Sequence, residues 1–441
     1  MKQTAKKMEI NMKKSFLVLL IFYLILICSF PVFATNGDNL IAIGPSSRAM
    51  GGVGIAESMD AISAVFANPA AMSFGDYGPS PEMNFAGTLF MPKVKAKITN
   101  IGGIIQSDSD ENIYAIPAIG ITVPIGNEFS KWRFGLAAYG VTGLGVDYRG
   151  STIDNPSFYD FGVMGQFPLV SGEYTSLQIM KFAPAVAFQL SPKISLGMAM
   201  HIDYASLDLR RGTSIGYGFG IQPGMIYRVN NNISLGLTYV SPQKVEHRNV
   251  TDFDQDGILD RLVLESPQQV GLGIAYNIPD WKLLLEIDGK WINWSNADGY
   301  KDFDWEDQWV ISIGGQFKPN ENLFLRVGYN YGKNPLKNHN GFNGTINPFD
   351  MSQNTRNVQG KLINNYYYET FRIIGFPAIV EHHITLGMGY KFSEKFSLHM
   401  GLMNAFEKTI SESGIDITGN PVTLESILSE SSIDFGFTWR F

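Results

Sequence analysis

Cysteine is almost missing from this sequence: Cys28 is the only one. It falls in an N-terminal stretch expected to be removed, so the mature chain has no disulfide framework, no thiolate metal site and no cysteine nucleophile. A lipid anchor on Cys28 is set aside because Ile27, not a small residue, precedes it. Charge is scarce at 17% of residues. An excess of basic residues is also lacking. Taking residues 1–34 away removes five Lys and one Glu from totals of 34 and 41, leaving 29 basic against 40 acidic residues and a net charge of −11. Nucleic acid is therefore not an expected partner. Beyond the N-terminus no apolar run is long enough for a membrane helix. No G-x-S-x-G occurs, and nothing around His201, His247 or His399 reads as a nucleophile motif, so an enzyme is not expected.

Aromatic residues and glycine are plentiful, with 30 Phe, 19 Tyr, 7 Trp and 46 Gly. They sit in a repeated pattern. At the C-terminus Ile433, Phe435, Phe437, Trp439 and Phe441 alternate with Asp434, Gly436, Thr438 and Arg440. The same period of two runs through Ile194 to Tyr204, Ile233 to Tyr239, Leu323 to Tyr331 and Ile384 to Phe392. Such strands carry one apolar and one polar face, and no helical pattern is present to cover them. At the N-terminus Lys13 and Lys14 precede an apolar run at 16–30 and the small-residue site Val32-Phe33-Ala34, which reads as a secretory signal. An exported chain of alternating strands fits an outer membrane, where lipid solvates the apolar face and closure removes unpaired edges.

Short turns are expected near residues 126–128, 191–193, 230–232, 279–280, 319–321 and 393–395, with long connections at 99–113, 147–175, 247–265, 296–307, 333–379 and 411–427. The expected fold is all-β: a transmembrane antiparallel β-barrel of about 14 strands with an N-terminal hatch in the lumen. The division is 1–34 signal peptide, 35–80 hatch and 81–441 barrel. The hatch reading rests on Ile41, Ile43, Val53, Ile55, Ile62, Val65 and Phe66, which an exposed tail would not carry. A short helix-like run at 60–66 should end at Asn68-Pro69-Ala70, since proline forces its predecessor out of helix.

Three stretches resemble the FadL/TodX family of outer-membrane transporters of long-chain fatty acids and hydrocarbons. They are SRAMGGVGIAESMDAISAVFANPAAMSF at 47–74, FPAIVEHHITLGMGYKF at 376–392 and the alternating C-terminal strand. The resemblance implies a plugged barrel that takes up a hydrophobic small molecule without a cofactor and releases it sideways into outer-membrane lipid. A general or substrate-selective aqueous porin is the competing reading. The implied partners are that small molecule, the lipid and the outer-membrane barrel assembly machinery. Arg48, Asn68, Pro69 and Ala70 become the hatch and gate residues, and the 68–70 turn is expected to fill a wall break in the third strand, residues 132–148, beside Gly140, Gly143 and Gly145. The family pattern has a long helical loop after its fifth strand, for which residues 211–217 are too few. Ligand capture is then expected at Phe158, Tyr159, Phe161, Phe167 and Leu169, with Tyr366, Tyr367, Tyr368 and Phe371 as a facing wall.

Asp252, Asp254, Asp256 and Asp260 with Gly257 have the spacing of a structural calcium (Ca2+) loop, although Val263 stands where the last carboxylate belongs. The other reading of this loop is an acidic hairpin turn. Arg48, or another luminal Arg or Lys, is either a carboxylate anchor or half of a structural ion pair. Glu381-His382-His383 is read as a strand start, because adjacent strand residues face opposite ways and cannot share one zinc ion.

Overall fold

The computed structural model describes residues 36–74, 80–110, 112–126, 130–154, 172–253, 257–350 and 352–441. The signal reading at 1–34 lies outside them. Fourteen of the described strands form one closed antiparallel wall. They are β1 Glu82–Asn100, β2 Tyr114–Pro124, β3 Trp132–Asp147, β4 Tyr174–Ser191, β5 Ile194–Asp208, β6 Thr213–Arg228, β7 Ile233–Val240, β8 Gln269–Ile278, β9 Leu283–Ile292, β10 Gln308–Phe317, β11 Leu323–Gly332, β12 His382–Ser393, β13 Phe396–Ile415 and β14 Pro421–Arg440. Each strand pairs with the next. The wall closes where β14 meets β1, with Phe85 opposite Phe437 and Leu89 opposite Ile433.

Alternation decides which face meets which solvent. Ile433 is 40% and Trp439 52% exposed, whereas Asp434 between them is fully buried. Leu398, Met400 and Leu402 repeat the outward apolar row on β13. In an aqueous protein these side chains would need a second layer; in an outer membrane hydrocarbon covers them. Leu398→Arg is therefore expected to cost about 2–4 kcal/mol in the bilayer. The check is heat-modifiable migration after membrane extraction: a normal folded fraction would contradict the register. Arg326, one position from the outward row of β11, is buried against Gln316 and His399.

The wall is uneven in height. β7 to β11 have 8 to 10 residues each, enough for one tilted crossing. β1 has 19 residues and β13 and β14 have 20 each, so that side projects beyond the membrane, and parts of the expected loops at 99–113 and 411–427 are strand. The segment after β7 forms a hairpin, residues 243–251 with 260–266, rather than a loose loop. It lies on the lumen face of β6, where Gly216 and Gly218 leave room for Val245.

Candidate functional site

Residues 36–74 occupy the lumen. Helix α1, Pro45–Arg48, packs on β12 to β14. Helix α2, Ala61–Ala67, starts at Asp60, whose side chain accepts from the Ser63 N–H while the Ser63 hydroxyl accepts from the Asp60 N–H. Asn68 ends α2 and caps a tight turn, Pro69–Ser73, by accepting from the Ala70 N–H at 3.1 Å.

Wall side chains hold this segment from all around. Arg48 is fully buried, with Nε 2.8 Å from Asp434 and Nη2 donating to Ser432 at 2.8 Å. That pairing occupies Arg48 in the plug-to-wall contact and leaves it no place as an anchor for a ligand carboxylate. Asp288 accepts from the N–H groups of Gly54 and Ile55, and Glu286 from those of Ala56 and Glu57. Gln222 donates to the carbonyls of Phe66 and Ala67, and Ser195 to that of Ala70. These bonds satisfy irregular backbone at membrane depth, which is the condition for its being there.

The turn at 68–70 is not where the sequence reading placed it. Asn68 Nδ2 donates to the carbonyls of Met225 on β6 and Leu237 on β7, and Ala70 sits on β5. The physical reason is space. A Cβ at Gly197 would strike Ala70, and one at Gly224 would strike Asn68, so these two glycines form the seat of the turn.

The wall break lies elsewhere, between β2 and β3. Their ladder runs from Arg133 opposite Pro124 to Tyr139 opposite Ala118 and stops. β3 continues to pair with β4, through an irregularity between Gly140 and Thr142. Above the gap the strands are tied again, where the Asp110 N–H donates to the Asp147 carbonyl at 2.8 Å. The result is a window bounded by residues 112–117 and 140–146. Seven residues of extended chain span about 20 Å. Tyr139, Gly140, Val141 and Thr142 are all buried, so the inside–outside alternation of β3 is lost as it turns inward. Its exposed backbone is satisfied by the N-terminal segment: the Leu40 N–H donates to the Val141 carbonyl at 3.0 Å, and Asn39 bridges Thr142. Gly140, Gly143 and Gly145 lie along the window. A Cβ at Gly140 would meet Ile116 and one at Gly145 the Thr175 carbonyl, while one at Gly143 would lie 3.8 Å from the Tyr114 ring. Side chains of β2 and residues 39–40 thus close the window in place of a hydrogen-bonded β2–β3 ladder.

Residues 36–38 reach the loop after β9. Gly37, at φ +67°, fits under Trp294 where a Cβ would not. Asp38 accepts from the Tyr300 hydroxyl, and burial pushes its carboxyl up to about 6. Beside this anchor is a cavity lined by Asn39, Leu40, Tyr139, Val141, Lys181 and Lys290, among others. At the outer end of the wall is a second, nearly apolar pocket lined by Leu177, Leu262, Leu264, Phe303, Trp305 and Phe371. Helix α3, Asn365–Thr370, carries Tyr366, Tyr367 and Tyr368. Tyr368 stacks on Phe303 and Arg372 is buried between Glu369 and Glu412, so this loop is pinned over the pocket.

With this geometry in place, comparison adds the family. The model of the outer membrane protein transport protein family (OMPP1/FadL/TodX) matches residues 38–217 and 207–342. The chain belongs to that family. Comparison with curated protein sequences gives no match. Among solved structures, the Pseudomonas putida toluene transporter TodX is 17% identical, with a TM-score of 0.63 over 91% of this chain and 99% of that one. A Pseudomonas aeruginosa FadL homologue is 15% identical at TM-score 0.65, over 92% and 100%. The Ralstonia pickettii toluene transporter TbuX is 17% identical at TM-score 0.58, over 92% and 99%. These likenesses show the barrel fold, and the family is one of outer-membrane transport proteins.

In this FadL/TodX member several expected site residues fall outside the described residues: Phe158, Tyr159, Phe161, Phe167 and Leu169 in the loop after β3, and Asp254 and Asp256 in the acidic loop. The other two aspartates have partners. Asp252 accepts from the Gly257 N–H at 2.8 Å, and Asp260 accepts from the Phe253 N–H and pairs with Lys361 at 2.9 Å. A calcium ion would compete with Lys361 for Asp260. Lys361→Ala is expected to raise protease cleavage between Val250 and Leu264; cleavage that also rises with chelator supports the calcium reading, and cleavage unmoved by chelator the acidic turn. His382 contacts the Tyr329 hydroxyl, whereas His383 is fully buried on the opposite face. Sequence reading missed Glu286, Asp288 and Lys290. The signal was available: three ionisable residues at alternate positions in the otherwise apolar LLLEIDGKWI.

Proposed function

We propose that the chain takes up hydrophobic compounds, fatty acids or hydrocarbons, across the outer membrane by passive diffusion, and that the window between β2 and β3 releases them sideways into lipid. The observation that carries this reading is the window itself. A break in the ladder at membrane depth, bordered by glycines and shut by side chains and two residues of a plug, opens without unfolding the wall. The pinned plug supports it from the other direction, because the straight path to the periplasm is filled. In this scheme the apolar pocket at the outer end receives the ligand from water, and burial of its apolar surface supplies the attraction. The toluene transporters TodX and TbuX share the fold, and uptake of a hydrophobic compound fits it. No group in this path needs a cofactor or an energy source, and no catalytic role is assigned to it. Membrane insertion of a barrel ending in this aromatic strand is assigned to the outer-membrane barrel assembly machinery. The test is uptake of a labelled fatty acid and of toluene by bacterial cells with and without the chain. Faster uptake of either, with no rise in uptake of small sugars, is expected. Sugar uptake rising in parallel would make it a porin instead.

A further inference from the structure

We infer that the external connection over the apolar pocket is held by a proton-operated latch, the carboxyl pair of Glu369 and Glu412, which closes when the pair shares one proton and lets go when both acids are ionised. The inference rests on the transport reading above and adds to it a regulation of ligand entry.

The two carboxyls come from different parts of the chain. Glu369 is on α3, inside the 333–379 connection, and Glu412 is near the outer end of β13, in the part that stands above the membrane. Both are fully buried. One oxygen of each and a ring nitrogen of His339 all lie within 4.8 Å of one another. Arg372 Nη1 sits among them, donating to Glu369 and lying 3.4 Å from Glu412 and 2.9 Å from His339 Nδ1. A metal ion would have to displace it.

Charge does not balance in this cluster with every acid ionised. The groups facing the pair are Arg372, His339 and Asp304, with Arg356 behind Asp304 and the Tyr368 ring stacked on the imidazole. The His339 N–H donates to Glu412 at 3.0 Å, its Nδ1 lies 2.8 Å from Glu369, and its Nε2 lies 3.3 Å from Asp304. Three carboxyls thus meet two guanidiniums. Glu412 Oε2 is buried and receives no donor among the described residues. An ionised oxygen so placed, beside a second carboxylate, is unfavourable on both counts; a protonated one donates to Glu369 and removes both faults. Burial pushes the Glu412 carboxyl up to about 7 against the charge of Arg372, and the charge of Glu369 adds to the rise. Glu369 goes the other way. Burial alone would raise it, but the His339 bond and the Arg372 charge hold it below the ordinary carboxylate range. The pair is therefore split, one member ionised and the other carrying the proton.

The latch bears directly on the pocket, because Phe371, Arg372 and Phe376 of the same connection line it. The other holds on this stretch are the Arg372 Nε–H on the Phe303 carbonyl at 2.8 Å and the Thr175 hydroxyl on the Gly375 carbonyl at 2.6 Å. Neither contains a group that titrates near neutrality. With the connection lifted, Glu412 meets water and returns to the ordinary carboxylate range, so the closed state holds the proton more tightly. Its support for closure is complete below that range and is lost, with the proton released to solvent, as pH rises through about 7.

The experiment is hydrogen exchange, read by mass spectrometry on peptides covering 365–376, in the purified full chain in lipid nanodiscs at about pH 5.5 and about pH 8.5. Glu412→Gln keeps the acceptor and puts an N–H donor where the proton sits, so it stays closed, and the ratio of wild type to variant cancels the intrinsic pH dependence of exchange. The two should exchange alike at the lower pH. At the higher pH wild type should exchange roughly tenfold or more faster, the linkage of one carboxyl raised to about 7. His339→Gln should keep the response. Wild type matching Glu412→Gln at both values, or a response lost in His339→Gln, overturns the latch, the second by moving the switch to the imidazole. Should Glu412→Gln not assemble, wild type alone, corrected for intrinsic exchange, carries the same prediction. Of toluene and labelled dodecanol, both uncharged, whichever is taken up should gain in wild type over Glu412→Gln across the same interval; no gain removes the latch from ligand entry. Uptake of neither by wild type or variant overturns hydrophobic transport, while the exchange result, read without ligand, still decides the latch.

Discussion

Removing residues 36–74 is expected to turn a barrel that passes no steady ion current into a conducting pore in planar bilayers. The expectation follows from where the segment is held. Its contacts run around the circumference, to Ser195, Gln222, Glu286, Asp288, Ser432 and Asp434, and its last described residue, Phe74, accepts through its carbonyl from Arg228 at the inner end of β6. With the segment gone, the lumen is lined by those polar side chains and by the small wall residues that made room for it, and water fills the space. Should the deletion impair assembly, a milder variant answers the same question. Glu286→Gln with Asp288→Asn keeps the shape and removes carboxylate charge from the pair that holds four plug N–H groups. Hydrogen bonds to charged groups contribute about 1.5–3 kcal/mol each. Brief, repeated openings are expected from this variant; a wild type that conducts steadily, or a deletion that stays silent while folded, would contradict the plug.

Locking the window is expected to abolish uptake without making the barrel leak. A Cβ at Gly143 would lie 3.8 Å from Cδ1 and 4.0 Å from Cγ of Tyr114. Tyr114→Cys with Gly143→Cys puts two thiols across the gap on Cβ atoms more than 4.0 Å and within about 5.5 Å of each other, so the disulfide, which needs about 3.5–4.5 Å, forms as the two edges draw together. Beyond Cys28 the sequence contains no other cysteine, so among the described residues the bond has no competitor. Oxidation ties β2 to β3 in the middle of the gap, and uptake of labelled fatty acid should fall to the level of cells lacking the chain. Reductant should restore it in the same preparation, which separates the lock from any effect of losing the Tyr114 ring. Uptake that is indifferent to oxidation state, with the bond shown to have formed, would remove the window from the path.

Much of this was legible before any coordinates. Rows such as Ile433 to Phe441 carry the strand period in every residue, and a lipid-facing strand needs nothing else to be recognised. Pro69 after Asn68 marks the end of α2, because a residue before proline is forced out of helix. Gly140, Gly143 and Gly145 were readable as a permissive stretch of β3. The docking of residues 68–70 was not, since it depends on Gly197 and Gly224, glycines more than a hundred residues away whose meaning appears only when the wall has closed. The closure of the window by Asn39 and Leu40 was illegible for a related reason: it is a backbone pairing with an inward-bent strand, and backbone pairing leaves no mark on side-chain identity. The height of β14 was underestimated because residues 421–427 read as part of a polar connection, although Glu425, opposite Lys97 of β1, continues the alternation above the apolar band.

The most direct test of sideways release is to locate the ligand itself. Crystals of the full chain soaked with a terminally brominated fatty acid would be measured at the bromine absorption edge, so that the anomalous signal marks the end of the alkyl tail. That signal is expected in the window, between Tyr114 and Ile116 on one side and Gly140 and Gly143 on the other. A chain of signal running instead past Asn68 and Phe74 toward the inner mouth of the barrel would contradict it.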